Sequence, residues 1–226
     1  MGRRDPAQPL LTLLDGPARV ELSGSTTANW VAKTANLLLD GHGAPDRVGL
    51  LLPLHWQPVC FLLGVAATGA TVVIARGPEG LAGCPLAFTT PECAQDALDA
   101  GVEDVLVISG HPLGVPVAGL PAMVLDAARE IPGYGDRFAG QAVWVPRIEV
   151  GGRSWSAGPE LGLTAADRVL TVLGLADGLD VLLGALSAGA ALVLVPHPAT
   201  LDLAAAVAAE RVTACAGIDL PGVRRV

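Results

Sequence analysis

His55-Trp56-Gln57 is the most distinctive grouping of chemistry-bearing side chains in the chain. It follows a short apolar run at the position where the carboxyl end of an α/β strand normally meets a ligand. An imidazole, an indole and an amide together can stack on and hydrogen-bond a small molecule. The packing alternative is a strand-to-helix connection in which Trp56 closes over the core. A second candidate is Gly151-Gly152-Arg153-Ser154-Trp155-Ser156-Ala157-Gly158-Pro159. Glycines, hydroxyls and one guanidinium could cradle a phosphate through Arg153 and Ser154; the alternative is a solvated hairpin. Asp177, with Asp180 three residues on, could face a ligand, order its loop or cap a helix. Ser23-Gly24-Ser25-Thr26-Thr27 resembles a phosphate loop superficially, but its hydroxyls suit side-chain capping of the helix that follows. Lys33 is the only lysine, and its position suits a solvated helix face.

Other chemistry is absent from the pattern. His42, His55, His111 and His197 share no ligand spacing, so no metal site is expected. There is no G-x-S-x-G, G-x-x-x-x-G-K-[ST] or G-x-G-x-x-G. The four cysteines, Cys60, Cys84, Cys93 and Cys215, form no C-x-x-C pair. With no signal-peptide pattern at Met1-Gly2-Arg3-Arg4-Asp5-Pro6, they read as reduced thiols of a cytoplasmic protein.

The elements that must position these residues follow from composition and periodicity. The 226 residues are 51% hydrophobic and 16% charged, enough to bury a core and too apolar for wholesale disorder. The formal charge of −8, with no basic run, argues against a nucleic-acid partner. Val48 to Ala75 holds no Asp, Glu, Lys or Arg, but Pro53, His55, Gln57 and Pro58 break it. We read it as a buried βαβ unit, with strands Val48–Leu52 and Thr71–Ala75 around a helix Val59–Thr68, and not as a membrane span.

An internal repeat organises the chain. Asp46-Arg47-Val48 recurs as Asp167-Arg168-Val169, Leu63-Gly64 as Leu183-Gly184, and Gly69-Ala70 as Gly189-Ala190. Val72-Val73-Ile74 recurs as Leu192-Val193-Leu194, at the same offset of about 120 residues. The expected fold is α/β, with duplicated βαβ units and parallel sheets. It forms one region, 1–226, with two pseudo-repeats at about 20–126 and 127–226. A helix containing Trp30, Val31, Thr34, Ala35, Leu37 and Leu38 precedes the first copy, with Thr26 or Thr27 as its cap. Further strands are expected at Leu86–Phe88, Asp104–Ile108, Ala122–Leu125 and Val212–Ala216, and helices at Cys93–Ala100 and Leu201–Glu210.

These residues carry a family resemblance. Asp46 to Pro53, Val59 to Ala67 and Thr68 to Val73 resemble the amino-terminal region of the adenylate-forming enzymes. That superfamily comprises the AMP-dependent acyl-CoA synthetases, luciferases and peptide-synthetase adenylation domains. Leu163 to Leu170, Leu183 to Ala190, Leu192 to Pro196 and Glu210 to Thr213 are similar to its segment after the phosphate loop. Leu52 to Gln57 resembles a short, truncated bacterial branch.

The resemblance implies a ligase-like, acid–AMP-forming ancestry and places a Ser/Thr-Gly loop with Pro-Lys-Gly between Phe138 and Leu163. This chain has no Thr-Gly run and no lysine there, and the family's aromatic-His pair is missing from Gly174 to Asp180. The family's functional residues therefore transfer to no position, and no catalytic residue is assigned. The expectation is a pseudoenzyme unable to adenylate on its own, with an accessory or small-molecule-binding role. No cofactor is expected, residual ATP or AMP binding being the remaining option. A homo-oligomer or partner protein would cover exposed apolar surface, with no nucleic acid and no membrane involved. The alternatives are a protein-interaction module or one part of a split acyl-adenylating enzyme.

Overall fold

The computed structural model describes residues 5–140, 146–158 and 160–226. In chain order the elements are β1 (Pro9–Asp15), β2 (Ala18–Ser23), α1 (Gly24–Asn36), β3 (Arg47–Leu50), α2 (Trp56–Thr68) and β4 (Thr71–Ile74). Next come β5 (Leu86–Thr89), α3 (Ala94–Asp99), β6 (Asp104–Val107), β7 (Val124–Asp126), α4 (Ala127–Glu130), β8 (Arg147–Val150) and β9 (Arg153–Ser154). The last are β10 (Arg168–Thr171), α5 (Leu175–Ala188), β11 (Ala191–Leu194), α6 (Leu203–Glu210), β12 (Ala214–Ala216) and β13 (Arg224–Arg225).

Local chemistry sets the boundaries. The α1 helix opens where the Ser23 hydroxyl accepts the Thr26 N–H at 3.1 Å. Ser23, not Thr26 or Thr27, is thus the cap, and the Thr27 hydroxyl turns back to the Ser23 carbonyl at 2.9 Å. Helix α2 begins three residues before the expected Val59, because Pro58 sits in the first turn, where a missing N–H costs nothing. The uncharged Val48 to Ala75 run resolves into β3, α2 and β4. No helix among the described residues is long and apolar enough to cross a membrane.

The chain divides into two compact units. One comprises Met1–Thr27, Pro53–Trp56 and Ala157–Val226. Its sheet runs β13-β12-β10-β11-β1-β2, parallel apart from the β1–β2 hairpin. Leu14, Leu170, Val193 and Val195 form a buried cluster there, with Leu203 and Val207 of α6 packed on it. The other unit comprises Ala28–Leu52 and Gln57–Ser156. Its sheet runs β7-β6-β5-β3-β4-β8-β9, parallel apart from β8–β9. Leu81, Ala87, Ala97, Val105 and Val107 are among its buried residues. The central strands in each, such as β4, β5, β10 and β11, are short and mostly apolar, as burial on both faces of a parallel sheet demands.

Each unit contains one copy of the repeated βαβ motif. Arg47 pairs with Thr71, and Arg168 with Ala191, at the start of each parallel pair. The Thr71 N–H donates to the Asp46 carbonyl at 2.8 Å, and the Ala191 N–H to the Asp167 carbonyl at 3.0 Å. Gly69 and Gly189 both close their helices in the left-handed region, at φ 83° and 74°. What lies on each helix differs. A Cβ on Gly64 would stand 2.6 Å from Thr34 Cβ and 3.0 Å from the Val31 carbonyl oxygen, so α1 and α2 approach backbone to backbone. Among the described residues outside its helix, a Cβ on Gly184 would meet the tip of Leu161 alone, at 3.0 Å.

This asymmetry predicts opposite outcomes for the same substitution. An exposed helical Gly→Ala ordinarily gains about 1 kcal/mol, whereas overpacking costs about 1–3 kcal/mol. Urea denaturation should show Gly64→Ala destabilised by about 1–2 kcal/mol and Gly184→Ala unchanged or slightly stabilised.

Candidate functional site

The residues marked out by sequence are divided between the two units: His55, Trp56 and Asp177 fall in the first, and Gln57, Arg153 and Ser154 in the second. His55 ends the β3-to-α2 connection, and Trp56 and Gln57 open α2; His55 and Trp56 are each 3% exposed and Gln57 is fully buried. The His55 and Trp56 rings lie 5.4 Å apart, tilted by 35°. His55 and Trp56 belong to the first unit and Gln57 to the second.

Arg153 and Ser154 lie in the β8–β9 hairpin, where Val150 pairs with Arg153 and Glu149 with Ser154. The corner is Gly151-Gly152, at φ 54° and 77°. Two successive left-handed residues make the tight connection that matches the twist of antiparallel strands. The Trp155 N–H returns to the Ile148 carbonyl at 2.8 Å. Arg153 and Ser154 are exposed on this short outer strand. Pro159, the last residue of the glycine-rich candidate, lies outside the described residues.

Asp177 sits exposed in the first turn of α5, its N–H donating to the Gly174 carbonyl at 3.2 Å. Gly174, the cap residue, offers no side-chain bond, so a carboxylate in this turn complements the helix dipole. Asp180 lies against Gly158, where a Cβ would stand 2.6 Å from its carboxyl carbon.

Lys33 is not on a solvated face. Its ammonium donates to the carbonyls of Tyr134 at 2.5 Å and Pro132 at 3.1 Å. Asn36, one helical turn on, donates to the carbonyls of Gly135 at 2.8 Å and Arg137 at 2.9 Å. Together they clamp the 132–137 segment onto α1.

Sequence reading missed the charged residues that the structure does assemble, although the repeated Asp-Arg-Val was their signal. Arg47 grips Glu149 of β8 with two bonds of 2.9 Å. That hydrogen bond lowers the Glu149 carboxyl below its ordinary pKa and raises the arginine. Arg168, at the same place in the other copy, bonds Glu210 and, at 2.8 Å, the Thr12 hydroxyl. Arg19 reaches Glu210 at 2.6 Å. Burial pushes the Glu210 carboxyl up, but the bonds from Arg19 and Arg168 outweigh it and leave the pKa lowered. The Arg168 Nε is buried without a hydrogen-bond partner. These groups line an open cavity of about 370 Å³ with Glu21, Asp167 and Arg211. Its three guanidinium groups face three carboxylates, a balanced network and not an anion cradle.

Burial pushes the Cys60 thiol well above the usual range, so it stays protonated and inert. Among the described residues no cluster of His, Cys, Asp or Glu could hold a metal ion.

With the fold and these contacts described, comparison defines the class. The chain has the fold of the amino-terminal part of the adenylate-forming enzymes. It superposes on an acyl-CoA synthetase from Brucella canis with a TM-score of 0.70, at 17% identity, over 94% of this chain and 45% of that one. A benzoate CoA ligase from Burkholderia xenovorans LB400 gives 0.68, at 15% identity, over 94% and 47%. The N-terminal domain of FACL13 from Mycobacterium tuberculosis gives 0.61, at 16% identity, over 94% and 59%. The chain therefore spans about half the length of the two ligase structures. No protein-family model matches. The chain is 37% identical over 228 residues to the "TIGR03089 family protein" of Mycobacterium tuberculosis (strain ATCC 25618 / H37Rv), covering 94% of this chain and 93% of that protein. It belongs to the TIGR03089 family.

The Glu210 network carries a pH prediction. A carboxyl whose folded pKa is lowered contributes stability above its unfolded value, about 4.3, and loses it as pH falls through the folded value. Glu210→Ala should cost about 3 kcal/mol at pH 7, because it strands the Arg168 guanidinium, while the half-exposed Arg19 keeps Glu21. The gap from the unsubstituted protein should narrow below about pH 4 in urea midpoints. An equal cost at both pH values would remove Glu210 from this role.

Proposed function

We propose that this chain is an accessory member of the synthetase fold that does not adenylate a carboxylic acid by itself. The observation that carries the reading is the Gly151-Gly152 hairpin. It stands in the stretch to which the family resemblance assigns the phosphate loop. Adenylation builds charge on the departing pyrophosphate, which needs converging N–H donors and a cation held in place beforehand. A two-residue corner commits Val150 and Glu149 to pairing with Arg153 and Ser154. The chain's one lysine, Lys33, is bonded to two carbonyls.

The test is carboxylate-dependent pyrophosphate release from ATP by the purified chain, across aliphatic, aromatic and amino acids. Release should stay at the level of a no-protein control. Turnover that scales with protein concentration and carboxylic acid would sink the proposal.

Lys33 gives a second check on the same reading. Lys33→Met should cost about 1–2 kcal/mol, as the loss of charge-assisted bonds to two carbonyls does. Amide exchange should quicken over residues 132–137. If instead Lys33→Met abolished ATP binding measured by calorimetry while leaving stability unchanged, the structural assignment of this ammonium would fail.

A further inference from the structure

The two βαβ copies differ in what covers the outer face of their helices. In one copy α1 crosses α2 at Gly64, with Thr34 filling the space that a side chain on that glycine would need. The other copy keeps a glycine, Gly184, at the matching position of α5. Gly64 lies five residues before Gly69, and Gly184 five before Gly189. The described residues of 155–164 contain no helix and run irregularly past that position. Among the described residues outside the helix, Leu161 is the one within 4 Å of a Cβ placed there. A groove of about 390 Å³ remains between this segment and α5, lined in part by Glu160, Leu161, Gly184, Ser187 and Ala188.

The polarity of the two helix faces differs in the same sense. Gln57 and Cys60 of α2 are fully buried. The matching residues of α5 are Asp177 and Asp180, both exposed, as is Ser187 in the place of Ala67. Glu160, beside the groove, is exposed too. Arg224 is the cation at the Gly162 end, where its guanidinium donates to the Leu161 carbonyl at 3.1 Å.

We propose that this face of α5 seats a helix supplied by a partner protein, crossing at Gly184 as α1 crosses α2 at Gly64. The internal copy defines the occupant's shape: a small or β-branched residue must stand at the crossing, as Thr34 does. The groove's own carboxylate defines its polarity: a basic side chain lies toward Glu160, where opposite charge sets orientation and on-rate. Helix backbones that approach this closely gain dispersion contacts along several turns, which a lone loop side chain such as Leu161 does not supply. The inference is independent of whether the chain adenylates.

The probe is a fluorescein-labelled peptide of residues 24–39, the helix already shaped to the sister glycine, titrated into the purified full chain and followed by anisotropy. Saturable binding is expected, weaker at higher salt. Ser187→Arg should weaken it about tenfold or more. Because Ser187 is exposed, that variant should keep the parent urea midpoint. Gly184→Leu, which fills the crossing, should abolish binding. Amide exchange should slow over residues 183–188 when peptide is bound. The proposal is overturned if the folded chain shows no saturable binding, or if Ser187→Arg leaves binding unchanged. It is equally overturned if light scattering finds a dimer that Ser187→Arg dissociates, which would assign the face to a second copy.

Discussion

Two arginines at the amino ends of central parallel strands set the constraint on which both units depend. Arg47 and Arg168 each begin a strand that is hydrogen-bonded on both sides, and their side chains are partly withdrawn from water, Arg168 more than Arg47. Removing a charge from water costs several kcal/mol unless a counter-charge and hydrogen bonds are supplied. Each unit supplies them from a different place. One draws Glu149 from β8, on the far side of β4; the other draws Glu210 from the end of α6, with Thr12 from β1. The Asp preceding each arginine does separate work, its carbonyl receiving the first N–H of the next strand. The Asp-Arg-Val repeat is therefore the chemistry of starting a parallel pair, and substrate chemistry is not needed to account for it.

The repeated βαβ units were legible because their signals are local. An apolar run, an apolar helix and a glycine in the left-handed region are enough, and β4 and β11 fall within a residue of expectation. The β1–β2 hairpin was not legible. Its residues join a sheet whose other members come from the far end of the chain, as in the pairing of Leu11 with Leu192. Its turn carries Gly16 at φ 54°, but one glycine among 28 has little power to mark a turn. Likewise β7 forms two residues late, at Val124, because the preceding Pro121 to Met123 make a turn whose closing bond runs from the Val124 N–H to the Pro121 carbonyl.

Side chains that looked chemical in the sequence also carry local structural roles. Ser23 caps a helix, Asp177 answers a helix dipole, and Gly151-Gly152 turns a hairpin. Each fits its local job, and no local signal says whether neighbours in sequence become neighbours in space. Lys33 shows the converse. Its helical periodicity is compatible with a solvated face, but its partners lie 99 and 101 residues away. Only the folded 132–137 segment shows what that ammonium holds.

Charge accounting weighs most heavily on function. Arg47 is committed to Glu149, Arg147 donates to the Gly69 carbonyl, and Lys33 donates to two carbonyls. Arg153 stands exposed on a two-residue outer strand. A single solvated guanidinium contributes about 0–1 kcal/mol to an ion pair. One donor preorganised for a developing oxyanion is worth about 3 kcal/mol, and pyrophosphate departure requires several acting together. The difference lies in how the groups are held, since a flexible arginine must be ordered and stripped of water at the moment of reaction. The sheets and crossovers keep the synthetase fold, while Arg47, Arg147 and Lys33 are each held by partners of their own.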